Sequence, residues 1–288
     1  MNIGMIGVGF VGGATAEVLK PFHNLYLYDK YKSPYNKEEN LENIAKYSES
    51  VFICVPTPMQ KSGAIDYTNI HNSVNELNNK VNNLKRNPKD LLIIIRSTAV
   101  SGTTDELAEK YAFRFAFNPE FLREKNALED MKNTDRIVIG ANTNEDREKA
   151  ASIYRPVFPN AKYVLTDRKE AEMIKYMANI MLAGQIALAN EFYQICNVLG
   201  IDYNEVKDAV LLDKRIGRNL DVPGPDGDLG FGGKCFPKDL NAAIHLARQN
   251  MYRPYLLEEI WRLNEKVRKN QDWLSIEGAT SEKNFKEK

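Results

Sequence analysis

The chain has 288 residues, enough for two domains, and its 39 lysines and arginines balance its 39 aspartates and glutamates. A net charge of zero argues against nucleic acid or an anionic membrane as a partner. The chain has three scattered cysteines, no leader-like N-terminus and no apolar run long enough to cross a bilayer, so we expect a cytoplasmic protein without a disulfide framework, metal site or membrane span.

The chain begins with a pattern typical of dinucleotide-binding folds. Residues 2–6 predict a buried strand, Gly7-Val8-Gly9-Phe10-Val11-Gly12 a glycine turn, and Ala14–Leu19 a helix. The glycines would let a pyrophosphate approach the helix N-terminus. A second strand over Asn24–Tyr28 ends at Asp29, about 20 residues after the turn, where an acid that binds a ribose 2′-hydroxyl belongs.

This pattern predicts NAD as the cofactor. Asp29 would accept a hydrogen bond from the ribose and repel a 2′-phosphate, which favours NAD over NADP, although Lys30 and Lys32 weaken the distinction. A strand, turn and helix without a ligand are the alternative. The residues expected to bind NAD here are Gly7, Gly9, Phe10, Val11, Gly12 and Asp29.

Two further strands end in residues that carry hydroxyl groups. The strand over 51–55 is followed by Pro56-Thr57-Pro58, and the aliphatic strand over 91–95 is followed by Arg96-Ser97-Thr98. Ligands of open α/β sheets bind at the carboxyl ends of the strands, so Thr57 and Thr98 become candidates for contact with the cofactor. The alternative for each is an ordinary loop residue.

A fifth strand, over 113–117, leads into a segment with two carboxylates. Glu120 and Glu124 are four residues apart and could share one helical face, with one of them as a general base. A charged first helical turn is the alternative. The segment reads Asn118-Pro119-Glu120-Phe121-Leu122-Arg123-Glu124.

The alternation of strands and helices predicts an α/β Rossmann domain with a doubly wound parallel sheet over residues 1–166. From residue 167 the pattern is helical throughout and predicts an all-helical central domain, 167–270, followed by a polar tail, 271–288, frayed from residue 277. The remaining elements are expected as strands over 136–140 and 162–165, a helix that starts at Gly102-Thr103-Thr104, and helices over 67–84, 145–154, 168–199, 202–212, 237–249 and 254–270.

The long helix over 168–199 carries two polar side chains within an apolar surrounding. Lys175 and Asn179 are four residues apart and point the same way. The part from Met177 to Leu188 is apolar on nearly every face, so we expect it to be buried in a domain or subunit interface. Buried polar groups need partners, which a bound ligand would supply; an internal salt bridge with a hydrogen-bonded amide is the alternative.

The most distinctive stretch is Gly230-Phe231-Gly232-Gly233-Lys234-Cys235-Phe236-Pro237-Lys238-Asp239. Its glycines allow the backbone to approach a ligand, and Pro237 suits the first turn of a helix, so Cys235 is predicted just before a helix N-terminus. There the helix dipole, with Lys234 and Lys238, would favour the thiolate, and Asp239 lies one turn further on. The pattern is typical of covalent catalysis; a glycine turn with a packed cysteine is the alternative.

Together these motifs resemble the UDP-glucose/GDP-mannose dehydrogenase family of nucleotide-sugar dehydrogenases, in the family's order and across residues 1 to about 270. The resemblance implies NAD-dependent oxidation of a sugar C6 alcohol to a carboxylate in two hydride transfers, with UDP-glucose as the expected substrate, UDP-glucuronate as the product and polysaccharide biosynthesis as the setting. The motifs that carry the resemblance are Gly7–Gly12, Val55–Pro58, Ser97-Thr98, Asn118–Glu124, Lys175 with Asn179, Asp213–Gly217 and Gly230–Asp239.

The resemblance also implies roles for the motif residues. Cys235 would attack the intermediate aldehyde and form a thiohemiacetal and then a thioester, while Lys175 would stabilise the oxyanion. Asp239 would act with Thr98 and Lys175 on water, and Glu124 would be the base in thioester hydrolysis. Thr57, Thr98 and Glu124 would join the cofactor site. The substrate would be bound by Glu120, Phe121, Leu122, Lys175, Asn179, Arg215, Gly232, Gly233 and Cys235.

Two further expectations follow from the family pattern. Arg215 resembles an arginine that reaches the substrate of a neighbouring subunit, which implies a homodimer through the helical domain; a solvated loop arginine is the alternative. Family members usually continue into another Rossmann-like domain that grips the nucleotide, so we expect a short form with much of the UDP site absent. The unusual loop Pro223–Asp228 is expected to reshape the sugar site.

Other functions remain open on the sequence alone. GDP-mannose or a UDP-N-acetyl sugar would undergo the same chemistry. The β-hydroxyacid dehydrogenases, including the 6-phosphogluconate type, share a Rossmann domain, a helical domain and an interdomain lysine, but they make one hydride transfer and need no cysteine. A binding module without activity is the non-enzyme alternative.

Overall fold

The computed structural model describes residues 1–281, which divide into two compact units. The first unit comprises residues 1–57 and 67–175, and the second comprises 58–66 and the described residues from 176 onward. The predicted boundary at residue 166 therefore differs from the observed division, which falls inside the long helix. The reason is that Ala171 and Ile174, near the start of this helix, pack into the core of the first unit.

The first unit is built on a seven-stranded sheet, which confirms the predicted α/β fold class. Its central strands are buried on both faces, with Ile93 and Ile95 on one side and Leu92 and Ile94 on the other, as expected of a sheet covered by helices. The strands are β1 (Asn2–Ile6), β2 (Asn24–Tyr28), β3 (Ser50–Ile53), β4 (Leu92–Ile95), β5 (Arg114–Phe117), β6 (Arg136–Ala141) and β7 (Lys162–Thr166).

The order of the strands is β2-β1-β3-β4-β5-β6-β7, so the direction of winding reverses between β1 and β3. Ligands of doubly wound folds bind at such a reversal, outside the carboxyl ends of the strands. One pair departs from the predicted parallel arrangement, because β6 runs antiparallel to β5 and only the last two residues of each strand pair. β6 and β7 are parallel to each other.

The helices of the first unit cover both faces of the sheet. Two of these helices, α2 and α5, were not expected from the sequence, because they are short and largely polar; α2 contributes only Leu41, Ile44 and Ala45 to the core. The helices are α1 (Phe10–Leu19), α2 (Glu38–Tyr47), α3 (Thr68–Asn83), α4 (Thr103–Lys110), α5 (Ala127–Lys132) and α6 (Asn144–Tyr154).

The second unit is helical, as predicted. None of the described helices is both long enough and apolar enough to cross a membrane. A small core forms around Ala183, Phe231, Leu240 and Ile244. The helices are α7 (Arg168–Leu199), which begins in the first unit, α8 (Tyr203–Val210), α9 (Phe236–Gln249) and α10 (Tyr255–Val267).

The predicted polar tail is only partly described, since residues 282–288 lie outside the described residues. For the described residues 277–281 the prediction of a frayed segment is wrong, and the tail from residue 271 contributes apolar residues to a small core. Trp273 and Ala279 are buried against Met59, and the Met59 N–H donates to the Ala279 carbonyl at 2.9 Å. These apolar residues hold the segment because burying an indole removes a large apolar area from water.

Candidate active site

The glycine turn has the geometry that a dinucleotide needs. Gly7 has a φ of +94°, and a Cβ there would lie 2.5 Å from the Cys54 carbonyl oxygen, while a Cβ at Gly12 would overlap the Gly7 carbonyl. Gly9 is the N-cap of α1, and a Cβ on it would meet no atom of the described residues within 4 Å. The turn therefore leaves open space in front of the helix N-terminus, where a diphosphate binds favourably. Phe10 opens the helix beside it.

Asp29 is fixed at the end of β2, next to the glycine turn. Its Oδ2 accepts a hydrogen bond from the Val8 N–H (2.8 Å), and its Oδ1 accepts from the Tyr31 and Lys32 N–H groups (3.0 and 3.1 Å). A carboxylate has about four lone-pair sites, so it can still accept from a ribose hydroxyl. Lys32 Nζ donates to the Val8 carbonyl, and Lys30 Nζ lies 3.3 Å from Glu76. Both lysines thus have partners within the chain, which supports NAD over NADP.

Thr57 and Thr98 each lie shortly after the end of a strand, where the sequence pattern predicted them. Thr57 is buried four residues beyond β3, and Thr98 is partly buried three residues beyond β4. Ser97 has a structural role, because its hydroxyl donates to the Val55 carbonyl at 2.7 Å and joins the segments after the two strands.

Lys175 and Glu120 form a buried ion pair in the first unit. Lys175 Nζ donates to Glu120 Oε1 at 2.8 Å, and the residues are 3% and 5% exposed. Burial would raise the pKa of Glu120, but Lys175 and the Leu122 N–H, which donates at 2.6 Å, outweigh burial and lower it. The pair therefore holds an ammonium and a carboxylate together at a fixed place, with no net charge.

The two predicted carboxylates do not share a helical face. Glu120 is buried in an irregular segment, whereas Glu124 is exposed and opens a 3-10 turn, Glu124–Asn126. The side chain of Glu120 accepts from the Leu122 N–H, and such local side-chain bonds compete with helix formation. The ring of Phe121 lies 5.6 Å from Lys175 Nζ.

Cys235 is the N-cap residue of the 14-residue helix α9, which confirms the predicted position before a helix N-terminus. One turn on, the Asp239 N–H donates to the Cys235 carbonyl at 2.8 Å. The Asp239 carboxylate is 1% exposed and accepts from Asn179 Nδ2 at 2.6 Å and from Lys238 Nζ. The positive charge of Lys238, expected to act on Cys235, is therefore paired with Asp239.

The remaining substrate candidates of the second unit differ in their surroundings. Gly233 has a φ of +75°, and within residues 1–281 a Cβ on it would meet nothing within 4 Å. At Gly232 a Cβ would overlap the side chains of Arg268 and Asp272, so the chain itself fills that space. Arg215 is exposed and pairs with Asp213 at 2.5 Å.

The structure adds a buried network that the sequence analysis missed. The Arg96 guanidinium donates to Asn118 Oδ1, Tyr154 donates to the same oxygen at 2.7 Å, and Asn118 Nδ2 donates to the Val138 carbonyl at 2.7 Å. This network anchors the segment that carries Glu120. The only signal for it in the sequence is that Arg96 and Asn118 each follow a buried strand directly.

Comparison with known proteins identifies both parts of the chain. Residues 29–158 match the model of the UDP-glucose/GDP-mannose dehydrogenase family, NAD binding domain, and residues 169–266 match the model of the same family's central domain. The first match confirms NAD as the predicted cofactor. This match begins at Asp29 and does not include the glycine turn. The assignment of that turn to the NAD site therefore depends on its geometry.

Named relatives agree with this assignment. A UDP-glucose 6-dehydrogenase from Rickettsia bellii (strain RML369-C) is 39% identical over 242 residues, which cover 82% of this chain and 52% of the relative. One from Rickettsia prowazekii (strain Madrid E) is 32% identical over 300 residues, covering 92% and 67%. The chain therefore spans about half to two thirds of the length of these relatives.

A solved structure shows the same fold. The UDP-glucose dehydrogenase from the hyperthermophilic archaeon Pyrobaculum islandicum superimposes with a TM-score of 0.79 at 29% identity, covering 92% of this chain and 68% of that one.

Proposed function

Since this chain belongs to the UDP-glucose/GDP-mannose dehydrogenase family, we propose that it oxidises the C6 alcohol of a nucleotide sugar, UDP-glucose in the first instance, to a carboxylate. The observation that carries the proposal is the position of Cys235 at the N-cap of α9, with a buried Asp239 one turn behind it. A dehydrogenase that stops at one oxidation has no use for such a nucleophile.

NAD, when bound, accepts one hydride in each of the two oxidations. The glycine turn with Phe10 and Val11, Asp29 and Thr57 would hold it, and Thr98 and Glu124 would lie at its reacting end. The protein's own task in the first step is to orient the alcohol and to let its proton leave. In the second step a thiolate is needed, and the dipole of α9 favours that form of Cys235.

The Cys235 sulfur adds to the aldehyde carbon, and the resulting thiohemiacetal oxyanion would be stabilised by the ammonium of Lys175. Loss of the hydride leaves a thioester. Water, deprotonated by Glu124 and positioned by Asp239 with Thr98 and Asn179, adds to the thioester carbon, and the sulfur leaves as the thiolate.

Several of the predicted residues would recognise the sugar. Glu120, Phe121 and Leu122 would line the site, with Glu120 kept anionic by Lys175. Gly233 would allow backbone contact with the sugar, because the space beside its Cα is open. GDP-mannose and UDP-N-acetyl sugars are candidates for the same chemistry, to be compared as substrates in the same assay.

Counting NADH tests this proposal. Limiting UDP-glucose is converted with excess NAD by wild type, Cys235→Ser and Cys196→Ala, and the NADH formed per sugar is measured by absorbance. We expect two NADH per sugar for wild type and for Cys196→Ala, whose cysteine is buried in a separate apolar cluster. Cys235→Ser should form no product, or stall after one oxidation.

One NADH per sugar with an unaffected Cys235→Ser would contradict the thioester route. No NADH from UDP-glucose, in a chain that binds NAD, would contradict the choice of UDP-glucose; turnover of GDP-mannose or a UDP-N-acetyl sugar would then reassign the substrate.

We also propose that the chain forms a homodimer through α7. Within the second unit, one face of this helix exposes large apolar side chains at intervals of three, four or seven residues. Such a stripe is typical of a helix that packs against another helix. The exposed Arg215 would then be able to reach the substrate of the partner subunit. The stripe consists of Met177, Met181, Leu188, Phe192, Ile195 and Leu199.

A further inference from the structure

The loop that leads to Cys235 is held by the chain that follows α10. The Gly233 N–H, two residues before Cys235, donates to both carboxylate oxygens of Asp272, each at 3.1 Å. Asp272 opens the 3-10 turn Asp272–Leu274. It lies beyond residue 266, where the match to the family's central domain ends.

Arg268 joins the carboxylate to two further points of the same loop. Its guanidinium donates to Asp272 Oδ1 at 3.2 Å, to Asp226 Oδ2 at 2.6 Å and to the Leu229 carbonyl at 3.3 Å. The residue is 5% exposed. An arginine this deeply buried is stable only where carboxylates and carbonyls saturate its donors, so its position is closely defined.

These contacts explain why residue 232 is a glycine. A Cβ there would overlap both the Arg268 guanidinium and the Asp272 carboxylate, so only glycine lets the two side chains close on the loop. The preceding residue is fixed as well, because the Asn264 side chain accepts from the Phe231 N–H (2.7 Å) and donates to its carbonyl (3.0 Å). The backbone is thus held at Phe231 and at Gly233, on either side of Gly232.

We propose that Asp272, oriented by Arg268, is a positioning residue for Cys235. Asp272 accepts a hydrogen bond from the Gly233 N–H and so fixes the backbone just before Cys235, the N-cap of α9. The position of the Cys235 sulfur depends on that backbone. Its effect on turnover rests on the proposed thioester function, whereas its effect on the loop and on thiol reactivity does not. Gly232 is then the residue that leaves room for the Arg268–Asp272 pair.

The test compares Asp272→Ala and Asp272→Asn with Glu277→Gln, which changes an exposed carboxylate of the same segment. Three readouts are taken from the full chain: hydrogen exchange at the Gly233 amide by fragmentation mass spectrometry, the rate of Cys235 alkylation by iodoacetamide resolved by peptide, and the thermal unfolding temperature. The alkylation rate reports the surroundings of the Cys235 sulfur. A general loss of stability would not change the alkylation of Cys235 alone.

For Asp272→Ala we expect exchange at Gly233 to rise at least about tenfold, the lower end of the rate change that corresponds to loss of one hydrogen bond to a charged group. Cys235 alkylation should change severalfold while alkylation of Cys54 stays constant. Asp272→Asn keeps one acceptor and should show smaller changes, and Glu277→Gln should match wild type. With UDP-glucose, kcat should fall about tenfold at an unchanged KM for NAD.

The proposal would be overturned if both Asp272 variants showed the wild-type rates of Gly233 exchange and Cys235 alkylation. It would also be overturned if Glu277→Gln changed these rates as much as the Asp272 variants do. If Asp272→Ala fails to fold, Asp272→Asn decides on the same readouts. If the wild-type chain oxidises no nucleotide sugar, the proposed function fails, while exchange and alkylation still decide the role of Asp272.

Discussion

At the scale of single residues, Gly9 and Gly12 belong to one turn but are required for different reasons. A Cβ at Gly12 would overlap the Gly7 carbonyl, so the fold itself excludes a side chain there. At Gly9 the backbone has a φ of −75°, which any residue adopts, and the space beside it is open. The fold therefore tolerates alanine at Gly9, while a bound diphosphate would not.

We predict that Gly9→Ala weakens NAD binding about tenfold or more without lowering the unfolding temperature, because the added methyl group occupies the space of the ligand. Gly12→Ala should instead destabilise the chain by about 3 kcal/mol through overpacking. Fluorescence titration with NAD and thermal unfolding measure the two effects.

Gly13→Ala is the matched control for these variants. Gly13 lies in the same helix, α1. A Cβ on it would be 3.8 Å from the Val8 carbonyl oxygen, an ordinary van der Waals distance. We expect wild-type NAD affinity and unchanged or slightly higher stability. Weak NAD binding by Gly13→Ala, or full affinity in Gly9→Ala, would contradict the interpretation of the turn.

The residues that sequence reasoning located are those whose contacts are local. Asp29 and Cys235 were predicted because a short motif determines their place at a strand end and a helix start. Asp272 could not be predicted, since its partner Gly233 is 39 residues away and the contact depends on how the chain folds back after α10. The glycine at 232 was expected to serve the sugar, whereas its space is filled by Arg268 and Asp272.

At the scale of elements, the start of α4 is capped by a side chain from another helix. Gly102, its N-cap, has no side chain to serve as a cap. The carboxylate of Glu172 in α7 accepts from the Gly102 N–H (2.6 Å), the Thr104 N–H (2.9 Å) and the Thr104 hydroxyl (2.6 Å). Burial raises the pKa of Glu172 to about 7, even though these donors lower it; nearby Asp105 raises it further.

This carboxyl group should make stability depend on pH. Its pKa is higher in the folded chain than its ordinary 4.5, so its contribution is complete below that value and is lost as the pH rises through about 7. We predict that the free energy of unfolding of wild type, relative to Glu172→Gln, falls by roughly 2 kcal/mol between about pH 5 and about pH 7.5. Urea denaturation over this range measures the difference.

Glu170→Gln, an exposed position on the same helix, serves as the control and should leave the pH dependence of wild type unchanged. Parallel stability curves for wild type and Glu172→Gln would show that Glu172 does not titrate between these pH values, and a difference of opposite sign would mean that the three donors outweigh burial.

The elements that were predicted least well from the sequence are those whose existence or direction depends on contacts with other elements. The strands β1 and β4 are nearly continuous apolar runs and were predicted almost residue for residue. Helix α2 was missed because its apolar residues, Leu41, Ile44 and Ala45, make only a narrow stripe in a polar segment. The direction of β6 was missed because periodicity indicates a strand but not the edge from which it enters the sheet.

At the scale of the whole molecule, the apolar stripe on α7 predicts the oligomeric state. Its six side chains are 43–64% exposed in the single chain, although the part from Met177 to Leu188 was expected to be buried in a domain or subunit interface. A second copy of the chain would resolve that difference, since a two-fold axis lets the stripe pack against itself. Burying six such side chains on each chain provides the apolar core that a stable interface needs.

We predict that wild type sediments at twice the mass of the chain and that the double variant Leu188→Glu with Phe192→Glu sediments as a monomer, because two buried charges on each chain would lack partners. Asn197→Glu, an exposed polar position on the same helix, should stay dimeric. A dimeric double variant would place the interface elsewhere. If Arg215 serves the partner's substrate, the monomeric variant should also keep its NAD affinity while losing turnover; full turnover as a monomer would show that each chain completes its own site.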